Sequence, residues 1–173
     1  VEPLILAILA AGAVGLAAAR ATRRAKRRAP ARRPGAEHHY PGDFTGRVDV
    51  RYAPRPDGRP DPGEIVWTWV PFEEDHSRGK DRPVLLIGRE GDWLLALQLT
   101  SKDHDLDAAQ EARWGRYWMD IGTGAWDRQR RPSEVRLDRI VRVDPGAVRR
   151  EGAVLDRRRF DEVSHSLSEL HHW

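Results

Sequence analysis

From Tyr40 onward the apolar positions fall into short alternating segments, the signature of strands, and only the last stretch switches to a helical period. Phe44, Val48, Val50 and Tyr52 alternate with polar residues and predict a first strand. The proline- and glycine-rich residues 53–62 predict a loop after it. Ile65, Trp67 and Trp69 then share one face of a second strand, and Val66, Thr68 and Val70 the other. Pro83 to Ile87 is apolar on both faces, as a central buried strand would be. Residues 88–92, Gly-Arg-Glu-Gly-Asp, predict a hairpin turn, and residues 93–100 the returning strand. A short strand is expected over residues 117–121. Val135, Leu137, Val141 and Val143 alternate along a longer one, with Arg139 on its apolar side, which calls for a bulge or a site role. Phe160, Val163, Leu167 and Leu170 recur at helical spacing behind a capping Asp156. The sum is a mainly β chain: a small antiparallel β barrel with a C-terminal amphipathic helix.

The first 39 residues obey another rule. Residues 4–19 carry no charge, and as a helix they would span about 24 Å. That is short for a hydrocarbon core of about 30 Å, but usable with local thinning. The basic residues Arg20, Arg23, Arg24, Lys26, Arg27, Arg28, Arg32 and Arg33 come directly after. Charge placed only behind the apolar run argues against a secretory signal, and positive-inside logic puts residues 20–173 in the cytoplasm. The expected organisation is an N-terminal hydrophobic helix as membrane anchor over residues 1–19, a basic flexible linker over 20–39 and a folded domain over 40–173. A plain cytoplasmic location is the alternative. The basic run would attract anionic headgroups, or serve as an RNA-binding arm.

Charge refines the picture. The whole chain is +3, but residues 34–173 hold 22 basic and 26 acidic residues. The high pI of 9.7 therefore does not mark the body as a nucleic-acid binder. There is no cysteine, so disulfides and thiolate metal sites are excluded. The paired histidines at 38–39 and 171–172 lack carboxylate support and read as surface. No metal and no cofactor is expected.

The chemistry-bearing residues lie around the central strand. Arg82 precedes Pro83 and the buried run, so a guanidinium fork that can grip two phosphate oxygens stands on a rigid support. Thr100 and Ser101 end the next strand with hydroxyls that can bond a phosphate, and Lys102 comes next. Lys80 adds positive potential. His76, in the loop over residues 73–80, could act as a general acid or base near neutral pH. Each of these is commonplace alone. Seven tryptophans could stack unpaired bases. Trp67 and Trp69 read as core by their alternation, while Trp114, Trp118 and Trp126 are candidates for a groove.

Taken in order, Gly63-Glu64-Ile65-Val66-Trp67, then Lys80-Asp81-Arg82-Pro83-Val84-Leu85-Leu86-Ile87, then Thr100-Ser101-Lys102, resemble the PemK/MazF family of toxins. The later Asp138-Arg139-Ile140-Val141-Arg142-Val143-Asp144 is similar to that family's Asp-Gln-Ile-Arg-x-Ile-Asp strand. The resemblance covers about residues 63–170. It implies an SH3-like barrel forming a homodimer, and a metal-independent endoribonuclease that cuts single-stranded RNA by attack of the 2′-hydroxyl on the adjacent phosphate. It places Arg82 on the catalytic arginine and Thr100 on the phosphate-holding threonine, and it implies an antitoxin partner. The remaining candidates for substrate binding are Lys80, Ser101, Lys102, His76 and Arg139. Two positions depart from the family pattern: Ser77 stands where a glutamate is expected, and Arg139 replaces a glutamine. A non-catalytic protein- or nucleic-acid-binding module on the same barrel, held at the membrane, is the competing expectation. A DNA-contacting regulator is a third.

Overall fold

A computed structural model describes residues 39–103 and 108–173. The expected anchor and basic linker lie outside the described residues, His39 excepted. Among the described residues no helix is long and apolar enough to cross a membrane.

Among the described residues, seven strands and two α-helices run in the order β1 (Glu64–Pro71), β2 (Gly79–Glu90), β3 (Trp93–Thr100), α1 (Ala108–Arg113), β4 (Trp118–Gly122), β5 (Ser133–Arg136), β6 (Val141–Val143), β7 (Arg150–Val154) and α2 (Arg157–His171). The strand pairings are antiparallel, and the sheet runs β4-β5-β3-β2-β1-β7, with β6 off this path and paired to β3 at Leu94–Ala96. Among the described residues β4 and β7 do not pair with each other, so the sheet is a curled half-barrel rather than a closed ring.

The alternation read from the sequence sorts the side chains correctly. Ile65, Leu85, Ile87, Leu95, Leu97, Leu99, Val135 and Leu137 line one face, where Phe160, Val163 and Leu167 of α2 cover them. Val66, Val70, Val84, Leu86, Leu94, Ala96, Val141 and Val143 fill the other. Each fully buried aliphatic side chain contributes about 1.5–3 kcal/mol, so two cores of this kind hold the sheet. The Asp156 carboxylate accepts from the Arg159 amide at 3.2 Å and caps α2 as expected.

Three expectations change. Residues 44–52 form no strand: Phe44 makes one isolated bridge to Ile140, and the Arg51 amide donates to the Ile87 carbonyl at 2.9 Å. They are an extended arm whose Val48 is buried while Phe44, Val50 and Tyr52 pack on the core, so their alternation reports burial, not a ladder. The expected long strand through Val135 and Val143 is two strands, β5 and β6, broken over residues 137–140 where the backbone turns to bond Tyr117 and Phe44. The hairpin turn is tighter than expected, because Gly88, Arg89 and Glu90 still belong to β2 and only Gly91 and Asp92 turn. Strand β7 and helix α1 had no clear periodic signal.

The tryptophans divide differently from the expectation as well. Trp126 is buried, with its indole donating to the Ser133 hydroxyl at 3.0 Å. Trp67 is only partly buried, under the Arg150 guanidinium, and donates to the Trp126 carbonyl at 2.8 Å.

Candidate phosphate-binding site

One face of the sheet carries most of the candidate chemistry. Thr68 on β1 is the direct partner of Arg82 on β2. The β2–β3 ladder ends at Val84 and Gln98, two residues short of Arg82 and Thr100. By the two-residue pleat, Arg82 keeps the face of Val84 and Thr100 the face of Gln98, so both belong to one face. Thr100 is in turn the partner of Glu134 on β5, which is buried. The pairs Thr68–Arg82 and Thr100–Glu134 lie on that face, beyond the last β2–β3 pair, Val84 and Gln98. Two residues on from Glu134, Arg136 shares its face.

Arg82 is partly buried. Among the described residues no carboxylate or other acceptor is bonded to its guanidinium. Burial, and then the nearby Arg139 charge, push its pKa below the ordinary arginine value. Both causes favour an anion arriving at this guanidinium. The Thr100 hydroxyl accepts from the Lys102 amide at 3.1 Å, which fixes the oxygen and leaves the O–H available to donate.

Arg139 does not face solution. It is 5% exposed and its guanidinium is consumed within the protein. It donates to Asp43 at 2.7 and 3.1 Å, to the Pro71 carbonyl at 2.9 Å and to Gln98 Oε1 at 3.5 Å. The backbone leaves the strand over residues 137–140, and Arg139 stands in that break. Tyr40 donates to the same Asp43 carboxylate at 2.5 Å. Burial tends to raise the Asp43 pKa, but the bonds from Arg139 and Tyr40 outweigh it and hold the carboxyl below its ordinary value. Burial first, then Asp43, pushes the Tyr40 phenol upward.

The loop between β1 and β2 closes on itself. The Phe72 amide donates to the Arg78 carbonyl at 2.8 Å, and Ser77 bonds Asp75 through both amide and hydroxyl, at 3.0 and 2.6 Å. His76 is exposed on this loop and meets the Tyr40 ring edge-on at 5.0 Å. Lys80 is exposed, its ammonium 5.8 Å from the Phe72 ring centre. Ser101 and Lys102 are exposed beyond the end of β3. The structure thus brings Arg82, Thr100 and Arg139 to one face of the sheet and His76 against Tyr40. Lys80, Ser101 and Lys102 stand at the ends of the same strands.

Arg136 was missed from sequence. It is buried and bonded bidentately by Asp138, with Nη2 at 2.6 Å from Oδ2 and 3.0 Å from Glu73 of the loop. Burial lowers the pKa of this arginine, yet Asp138 and Glu73 more than compensate and raise it. A signal existed: Glu134, Arg136 and Asp138 alternate with Ser133, Val135 and Leu137, so a strand that must be buried has a charged second face. Among the described residues no cluster of His, Asp and Glu could hold a metal ion.

These features define the class first: a small antiparallel β protein that holds a guanidinium without a bonded acceptor among the described residues, a fixed hydroxyl and a buried carboxylate on one face of its sheet. Residues 61–171 match the PemK-like, MazF-like toxins of type II toxin-antitoxin systems. The match spans more than half of the chain, and the chain belongs to this family. Among solved structures, MazF from Deinococcus radiodurans (crystal form I) is 20% identical, with 68% of this chain and 100% of that chain covered and a TM-score of 0.49. The MazE-MazF structure from the same organism (form II) is 20% identical over 66% of this chain and 96% of that chain, with a TM-score of 0.46. No curated protein matches the chain.

Proposed function

We propose that this toxin-family chain is a metal-independent endoribonuclease that cuts single-stranded RNA by transesterification. The observation that carries this reading is Arg82: a partly buried guanidinium with no described partner, on the same face of the sheet as Thr100. A phosphodiester seated there meets a planar fork on its non-bridging oxygens and a hydroxyl donor beside it. The 2′-oxygen then bonds to phosphorus as the bond to the 5′-oxygen breaks, leaving a 2′,3′-cyclic phosphate and a 5′-hydroxyl. Charge accumulates on the phosphoryl oxygens, and Arg82 is aimed at that charge. The proton leaving the 2′-hydroxyl needs an acceptor, and the 5′-oxygen needs a donor. Glu134, in register with Thr100, and His76, on the loop beside Tyr40, have suitable chemistry for those two transfers. Lys80, Ser101 and Lys102 contact flanking phosphates in this reading.

Incubation of the full chain with mixed-sequence single-stranded RNA in EDTA tests it. Cyclic-phosphate ends that vanish in Arg82→Ala are expected. Intact RNA with a folded wild-type chain overturns the reading, and RNA that is bound but never cut supports the binding module instead.

The family membership extends the proposal to partners. An antitoxin would cover the Arg82 face, and two copies of the chain would assemble as a homodimer. Residues 4–19 with the basic run over 20–33 would tether the domain to the cytoplasmic face of a membrane. Fractionation of cells carrying the full chain and a form starting at residue 20 decides this last point: both forms in the soluble fraction would end it.

A further inference from the structure

The family match begins at residue 61, yet two of the groups that build the site come from before it. Tyr40 and Asp43 lie on the extended arm. The arm is latched at this end by two arginines. Arg139 takes the Asp43 carboxylate, and Arg142 donates to the Gly42 and Asp43 carbonyls at 2.8 and 3.1 Å while its other edge bonds Glu90. Phe44 adds a backbone bridge to Ile140 and lies under the Arg142 guanidinium at 5.3 Å. This is a fixed structure, not a trailing linker.

Its electrical consequence falls on Arg82. Two guanidinium groups stand close enough for one to depress the pKa of the other. Left alone, the buried Arg139 would carry an uncompensated charge near Arg82. Such a charge either drags in solvent or displaces its neighbour. Asp43 offsets that charge with a two-point bond, and the Tyr40 hydroxyl donates to the same carboxylate. Arg139 then becomes a rigid post: it ties Pro71, at the end of β1, to Gln98 on β3, with β2 and Arg82 between them. Arg139 and the acid-bearing arm are two halves of one device.

We infer that Asp43 is a positioning residue of this site, acting through Arg139 to hold Arg82 in the orientation that meets the phosphate. The inference rests on the ribonuclease reading, and its test separates the two. Full-length wild type, Asp43→Asn, Arg139→Gln and the double variant are compared for RNA cleavage and for the NMR signal of the Arg82 Nε–Hε group, with inorganic phosphate as the titrant. Asp43→Asn is expected to lower kcat about tenfold or more. Its KM is expected to stay level or fall, because the added positive charge attracts RNA while the arginine is misdirected. Partial unfolding alone would not lower KM. The double variant, which removes both charges and keeps an amide for Gln98 and Pro71, is expected to recover to within about threefold of wild type. The Arg82 signal is expected to move in Asp43→Asn and to return in the double variant. Wild-type kcat in Asp43→Asn, or a double variant as impaired as the single one, overturns the inference. If wild type leaves RNA intact, the ribonuclease reading fails by itself. The Arg82 signal and its phosphate response then decide the positioning role, and an unmoved signal in Asp43→Asn ends it.

Discussion

Arg139 lowers the pKa of Arg82, yet Asp43 pairs with Arg139 and leaves Arg82 as the guanidinium with no described partner. The protein commits its carboxylate to the buried cation and presents the other to the outside. The chemistry of the two arginines should therefore separate cleanly on substitution.

Arg82→Lys is the informative change at the outer position. Lysine keeps the charge but loses the planar fork. RNA affinity is expected to fall modestly, while the cleavage rate drops about a hundredfold, the scale for removing one donor aimed at developing charge. Single-turnover cleavage against a binding isotherm measures both. A lysine variant cleaving at the wild-type rate would mean that charge alone suffices.

Thr100 offers a finer test. Thr100→Ser keeps the hydroxyl, and Thr100→Val keeps the shape while losing both the O–H and the acceptor for the Lys102 amide. The valine variant should lose about tenfold or more in cleavage and the serine variant little. Equal loss in both would assign Thr100 to packing.

Acid stability should report on the Asp43 pair. The carboxyl is held below its ordinary value of 3.8, so its contribution is complete above that pH and is lost as the pH falls through the lower, folded-state value. Wild type should therefore destabilise more steeply than Asp43→Asn below about pH 4. At neutral pH the variant should be weaker by about 2 kcal/mol, less than for a fully buried pair because the Asp43 side chain is 22% exposed. Melting temperatures between about pH 2.5 and 7 give both numbers, and parallel profiles would dissolve the pair.

Gly79 sets the base of the loop that carries His76. A Cβ there would lie 2.3 Å from the Val70 carbonyl oxygen and 2.6 Å from the Trp69 ring. Backbone cannot give way as a flexible side chain can, so Gly79→Ala should cost about 1–3 kcal/mol and loosen residues 72–78. Denaturant unfolding and limited proteolysis of the loop measure the two effects. An unchanged midpoint would show that the strands separate freely at this end.

The alternation of apolar residues was enough to divide β1 between its two faces, and the unbroken apolar run at Val84–Ile87 to mark β2 as a buried central strand, because a two-sided core takes apolar residues from both faces of a strand that crosses it. The helical spacing of Phe160, Val163 and Leu167 behind Asp156 was legible for the same reason. The order of the Trp67, Arg82 and Thr100 blocks was also enough to reach the family. Sequence could not supply anything that depends on two distant segments meeting. The arm of residues 39–53 has strand-like alternation but a nearly empty ladder, since burial and pairing leave the same pattern. Arg136 was hidden in a strand whose charged face becomes buried only when the Glu73 loop folds over it. Arg139 stood out in sequence as a charge on an apolar side. Its partner, 96 residues away, became visible only once the chain folded and the cost of a buried guanidinium had to be met from the arm.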